Sequence, residues 1–266
     1  MKAKKRLRGI LSALIYFIIY CLIQYVAQGV YVVYCKANSI ESFSELHNGL
    51  QESTFALSVI SSIVSLWIYA LIGKIRKEPL TKTIKNNKVA PATMFMAVVC
   101  AVGARLVVSA YFHFANDIPV LKKSIENSAL QGFEFTYAYQ VLIALFLIII
   151  IGPLFEEILF RGLIMNEFLK IMRPWAAIVL QAVFFGVVHF SLFQSSFALV
   201  VGVILGIIYF RTQSIKTVAV CHGVFNFTAF FSEIAKDMQS AIIILIFGIV
   251  ITAISLFYII GTYKSK

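Results

Sequence analysis

The stretch IGPLFEEILFRG, residues 151–162, sets two adjacent carboxylates and an arginine among isoleucines, leucines and phenylalanines. An isolated ionised carboxylate in hydrocarbon costs several kcal/mol, so charges at membrane depth face a partner or a water-filled cavity. What surrounds this stretch therefore decides the fold. Of the 266 residues 61% are hydrophobic and only 13% charged, and the mean hydropathy is +0.91, far from the composition of soluble domains. The class is all-α, a polytopic integral membrane protein.

Outward from the quoted stretch, apolar runs predict eight spans, near 10–34, 55–72, 89–114, 135–171, 174–190, 197–210, 217–231 and 239–260. The first is too long for a signal-peptide core and lacks a small-residue cleavage site, so it is expected to remain as a transmembrane helix. Short charged turns separate the runs, and no linker, repeat or low-complexity segment stands out. One continuous membrane domain is expected, with an N-terminal three-span region (1–134), a core (135–231) and a C-terminal span (232–266). With a cytoplasmic N-terminus, 18 of the 23 lysines and arginines fall on the cytoplasmic side. This asymmetry predicts a cell-membrane protein with both termini cytoplasmic. The formal charge of +11 is then a topology signal and a surface suited to anionic lipid headgroups, with no nucleic-acid partner implied. Cys21, Cys35, Cys100 and Cys221 form no C-x-x-C pair and read as small buried residues.

The fourth run, 135–171, would measure about 55 Å as a helix at 1.5 Å per residue, against a hydrocarbon core of about 30 Å. It must tilt, protrude or bend, and Gly152-Pro153 supplies a bend directly before the carboxylates. Glu157 and Arg161 are four apart and share a helix face, whereas Glu156 points about 100° away. The first pair reads as a buried clamp, and Glu156 is left to face something else. Counting equally backward and forward from the turn at 172–173 sets Glu156 level with His189, which follows Phe185 by four residues. His222 and Asn226 are again four apart, within reach of the same depth. His47 and His113, in or near predicted external loops, are assigned no role.

A carboxylate and an imidazole can hold a water and take its proton, and an imidazole with a side-chain amide can donate hydrogen bonds to a developing oxyanion. That equipment suits peptide hydrolysis. A zinc reading is open as well, with Glu156, His189 and His222 as ligands, although the H-E-x-x-H helix of common zinc proteases is absent.

The motifs Glu156-Glu157-x-x-x-Arg161, Phe185-x-x-x-His189 and His222-x-x-x-Asn226 resemble those of the CPBP intramembrane proteases, also called the Abi or CAAX-protease family. That family includes CAAX prenyl endopeptidases and bacterial proteins linked to bacteriocin immunity. The resemblance covers roughly 135–231 and implies a membrane endopeptidase with a conical catalytic cavity open to the cytoplasm. It implies that Glu156 and His189 activate the water, that His222 and Asn226 form the oxyanion hole, and that Glu157, Arg161 and Phe185 support them. It also implies a metal-free mechanism with no cofactor, zinc being the alternative. A composition rich in phenylalanine, isoleucine and lysine looks like that of an AT-rich bacterial genome. The expected substrate is accordingly a peptide pheromone, a bacteriocin precursor or a membrane protein rather than a prenylated one. The competing expectation is a non-catalytic membrane scaffold or immunity protein. Arg105, alone in the third span, is expected to receive a substrate carboxylate or to pair with a core glutamate.

Overall fold

The computed structural model describes residues 2–38, 43–126, 138–231 and 235–263. Helix α1 (Lys2–Ala37) is followed by α2 (Phe43–Ile75), a single turn α3 (Leu80–Thr83), α4 (Pro91–Ala115) and the short α5 (Pro119–Glu126). The carboxylate-bearing segment runs from 138 to 169 as α6 (Ala138–Phe146), α7 (Gly152–Glu157) and α8 (Asn166–Leu169), joined by two wide π-type stretches, Leu147–Ile151 and Ile158–Met165. Then come α9 (Pro174–Val187), α10 (Leu192–Thr212), α11 (Ile215–Phe227) with a 3₁₀ turn to Phe231, and α12 (Met238–Thr262). The expected starts and ends at residues 134, 135 and 232, and the C-terminal lysines, lie outside the described residues. His47 lies within α2 and His113 in the last turn of α4, on helices rather than loops.

The eight predicted runs each correspond to a helical segment. Six of these are long and apolar enough to cross a membrane. The other two, Pro174–Val187 and Ile215–Phe231, are shorter. The molecule has the inside-out character of a membrane protein: Val26, Val33, Ile246, Phe247 and Phe257 are exposed, while Glu157, Arg161, Gln181 and His222 are buried. In lipid, apolar contact with the surroundings is free and polar groups must be satisfied within the bundle.

Local sequence explains the element starts. Proline at the first position opens α4 and α9, where a missing N–H is harmless. Side-chain oxygens of Ser191, Ser214 and Asp237 cap α10, α11 and α12. The most extensive packing joins α4 to α12, α9 to α10 and α1 to α2. The α1–α2 contact is pinned by Tyr69, whose hydroxyl donates to the Tyr16 carbonyl at 2.8 Å.

At the lysine-rich end, the loop after α2 is tied down from both sides. Arg76 pairs with Glu167 at 2.7 Å and Lys170 with Glu78 at 3.0 Å; the Lys170 ammonium holds the Glu78 carboxyl below the usual carboxylate range. Asn87 N–H donates to the Gln213 carbonyl and Ile215 N–H to that of Lys85. Asn166 donates to the Thr83 carbonyl and the Tyr209 hydroxyl. This end holds α2, α8, α10 and α11 in fixed relation, and the polar residues deeper in those helices inherit it.

Candidate active site

Pro153 shapes the helix that carries the carboxylates. The Gly152 N–H reaches back five residues to the Leu147 carbonyl, and the next residue, Pro153, has no N–H to offer. The Ile148 carbonyl is thereby released from the helix ladder. Asn226 takes it: its Nδ2 donates to that oxygen at 3.0 Å. Wide turns of this kind recur at functional positions in α-helices, and here one lies on each side of the carboxylate pair. The predicted bend at Gly152-Pro153 is realised as this widened turn.

Beyond the wide turn, Glu157 and Arg161 share a face and form an ion pair at 2.8 Å with both side chains 0% exposed. Arg161 also donates to the Gly202 carbonyl at 3.2 Å, and its guanidinium lies 4.5 Å from the centre of the Phe185 ring, within cation–π range. Gly202 permits this approach: a Cβ there would press on Ala182 and the Phe185 ring, so α9 and α10 meet as small-residue membrane interfaces do. Glu157 Oε1 accepts a second bond, from His222 Nδ1 at 2.8 Å. Because a carboxylate accepts and Nδ1 donates, the opposite nitrogen, Nε2, is the one turned outward.

That nitrogen stands 3.8 Å from Glu156 Oε2. The gap is too long for a direct hydrogen bond, yet one water can touch both atoms from the side. Glu156 is 25% exposed and lies on the wall of a cavity of about 230 Å³ together with Asn226. One water needs only about 10–15 Å³ by the same measure. His189 sits just past the end of α9, with Nδ1 2.8 Å from the Phe185 carbonyl. A carbonyl only accepts, so Nδ1 carries the hydrogen and Nε2 is free to accept another. The next residue, Phe190, takes a left-handed conformation (φ 49°), uncommon for a bulky side chain, and so turns the chain sharply at the histidine. Both imidazoles touch the Phe185 ring, at 5.2 and 5.6 Å between centroids.

With this geometry in view, residues 138–228 match the family described as type II CAAX prenyl endopeptidase Rce1-like. Over that segment, about a third of its length, the chain is similar to the CAAX-protease family. No curated protein and no solved structure matches it. The matched segment contains Glu156, Glu157, Arg161, Phe185, His189, His222 and Asn226, whereas α1, α2, α4 and α12 lie outside it. The segment similar to that family thus lies within a larger helical bundle.

Among the described residues the imidazole within 4 Å of Glu156 is that of His222, which also bonds to Glu157, so one histidine on α11 stands between the two glutamates. The alternative zinc set of Glu156, His189 and His222 does not converge: among the described residues no three His, Cys, Asp or Glu side chains gather as a metal site requires. Among the described residues Arg105 forms no ion pair with a glutamate. Its guanidinium lies 5.6 Å from the Phe225 ring centre, and its buried Nε has no hydrogen-bond partner.

The residues that reasoning from sequence missed are on the facing wall. Tyr20 and Gln24 of α1 and Ser58 and Ser62 of α2 line the same cavity as Glu156. A signal was present in the sequence: each pair is four residues apart and so shares one helix face within an apolar run. Gln181, fully buried, is a further omission; it donates to the same Gly202 carbonyl as Arg161, at 2.8 Å.

Proposed function

We propose that this protein is an intramembrane endopeptidase, cleaving a peptide or membrane-associated protein with a water activated by Glu156. One observation carries the reading: of two adjacent glutamates, Glu157 is neutralised by Arg161 and fully buried, while Glu156 reaches a cavity with His222 Nε2 3.8 Å away.

Glu156 takes the proton of the attacking water as general base, and His189 Nε2 is the second acceptor that orients that water. Glu157 fixes His222 through Nδ1 much as a carboxylate orients the imidazole of a serine-protease triad. A proton on His222 Nε2 would then be offered to the developing oxyanion, balanced by the two carboxylates beside it. Asn226 spends one amide hydrogen on the Ile148 carbonyl, which sets its orientation, and its second is available to the oxyanion. The cycle closes when the proton held by Glu156 passes to the leaving amine. No cofactor enters this sequence.

The accompanying proposal is a cell-membrane location with both termini cytoplasmic, supported by the lysine-rich end of the bundle. The substrate class is a peptide precursor or membrane protein that reaches the cavity from within or beside the bilayer.

The test compares secreted and membrane-derived peptides from cells making wild-type protein or Glu156→Ala at equal abundance. A peptide lost with Glu156→Ala, and unaffected by a chelator acting on the purified protein, is the expected result. Unchanged peptide profiles, alongside a cellular phenotype that Glu156→Ala retains, would replace the enzyme with a scaffold.

A further inference from the structure

The cavity that receives Glu156 has two unlike walls. One is the carboxylate-bearing segment with Asn226, inside the residues that match the protease family. The other is the α1–α2 pair, outside that match, which contributes Tyr20, Gln24, Ser58 and Ser62. These four are neutral, and together they offer both donors and acceptors.

Their placement is regular. At 1.5 Å per residue, Tyr20 and Gln24 lie about 15 and 21 Å beyond Ile10, and Ser62 and Ser58 lie about 15 and 21 Å before Ile72. Ile10 and Ile72 each stand two residues from a basic residue at the lysine-rich end, Arg8 and Lys74. The two helices run in opposite directions, so Tyr20 falls level with Ser62 and Gln24 with Ser58. Tyr20 is braced through its ring, which packs on Phe155 at 5.4 Å between centroids. The Ser62 hydroxyl donates to the Ser58 carbonyl at 2.7 Å, which leaves its lone pairs to accept. Between the polar positions the lining is apolar, with Val59, Leu147, Ile151 and Phe155.

A peptide entering at this depth carries N–H and C=O groups that hydrocarbon cannot satisfy. It needs a surface that supplies both donors and acceptors, without charge, opposite the group that attacks it. We propose that Tyr20, Gln24, Ser58 and Ser62 form a substrate subsite that holds the main chain of an extended, uncharged peptide segment against Glu156. The proposal rests on the endopeptidase reading for the identity of the bound segment. Specificity for this chain's substrates then resides in helices outside the matched segment: small or apolar side chains fit the lining, and a charged side chain would be stranded there.

The probe is a short internally quenched peptide of small and apolar residues with blocked, uncharged ends. Kinetics are read on purified wild type, Tyr20→Phe and Gln24→Met, each of which retains side-chain volume. The expected result is a KM raised about tenfold, the loss of roughly one buried hydrogen bond, with kcat little changed. Occupancy is read separately, by maleimide labelling of Ser62→Cys in a Cys21→Ala, Glu156→Gln background, where the peptide should protect the new thiol. Cleavage by wild type, with unchanged KM in the variants and no protection, would overturn the subsite and leave the endopeptidase reading standing. Protection without cleavage by wild type would sustain the subsite and count against that reading. Absence of both would sink both.

Discussion

Glu156 and Glu157 are neighbours in the chain and opposites in the fold. Glu157 is fully buried, its Oε1 shared between Arg161 and His222; Glu156, about 100° further round the helix, reaches the cavity. Burying two like charges side by side in a low-dielectric bundle would be very costly. The arginine four residues on resolves this for one of them only, and the other retains access to water. A single helical rotation thus divides the pair into a buried, ion-paired group and a cavity-facing one.

The sharpest way to break that comparison is Glu156→Gln. The amide keeps the shape but cannot take a proton, so peptide cleavage should fall by a factor on the order of 100 to 10,000 while the protein inserts and melts in detergent as wild type does. A comparable loss of folded protein would mean that both glutamates serve packing.

The opposite result is expected on the other face. Removing one member of a buried ion pair typically costs about 3–5 kcal/mol because the survivor is left charged and unpaired. Arg161→Met and Glu157→Gln should each lower the melting temperature and the yield of monodisperse protein. The double variant should recover much of that loss, and a double variant no better than the sum of the singles would show that the two groups are not coupled.

Much of this division was legible in the sequence, because a four-residue spacing on a helix leaves little freedom. Glu157 and Arg161 had to meet, and so did the run of apolar residues and the bundle of helices. Other features depend on how helices cross, which spacing alone does not encode. The link from His222 to Glu157 exists because α11 passes close against the wide turn before Pro153. The wall facing Glu156 went unread because a lone tyrosine, glutamine or serine in an apolar run costs little and draws no attention; only the two antiparallel helices bring four of them level. Counting from the turn set His189 at the depth of Glu156 on the assumption of a straight helix, whereas α9 stops at Val187 and the left-handed Phe190 redirects the chain.

The crossing of α11 can be tested by itself. A Cβ on Gly223 would run into the Ile149 carbonyl, which is backbone and cannot swing aside. Gly223→Ala should therefore push α11 away from the wide turn and cost about 1–3 kcal/mol, the usual range for overpacking. Activity should fall more than stability, since His222 precedes and Asn226 follows this contact. Asn226→Ala, which adds no atoms, should leave α11 in place and lower cleavage through loss of the oxyanion donor, together with the bond to the Ile148 carbonyl. Equal activity losses at matched stability in the two variants would mean that the crossing carries no catalytic weight.

The smallest effect is expected at the membrane-embedded arginine that has no acid. Arg161 is held by a carboxylate, a carbonyl and a ring, whereas Arg105 has the Phe225 ring, and the Nε of each is buried without a hydrogen-bond partner. Leaving such a nitrogen unsatisfied costs about 1–3 kcal/mol, which the aromatic contact offsets in part, by about 0.5–2 kcal/mol. Arg105→Met removes both terms while keeping an unbranched apolar stem against Phe225. Stability should change by less than about 1 kcal/mol, and cleavage of an end-blocked peptide should be unaltered. If peptides with a free C-terminal carboxylate lose affinity in Arg105→Met while blocked ones do not, the guanidinium receives that carboxylate. Arg105 would then be a second determinant of substrate choice, in addition to the α1–α2 wall, whereas Arg161 stays engaged with Glu157, Gly202 and Phe185.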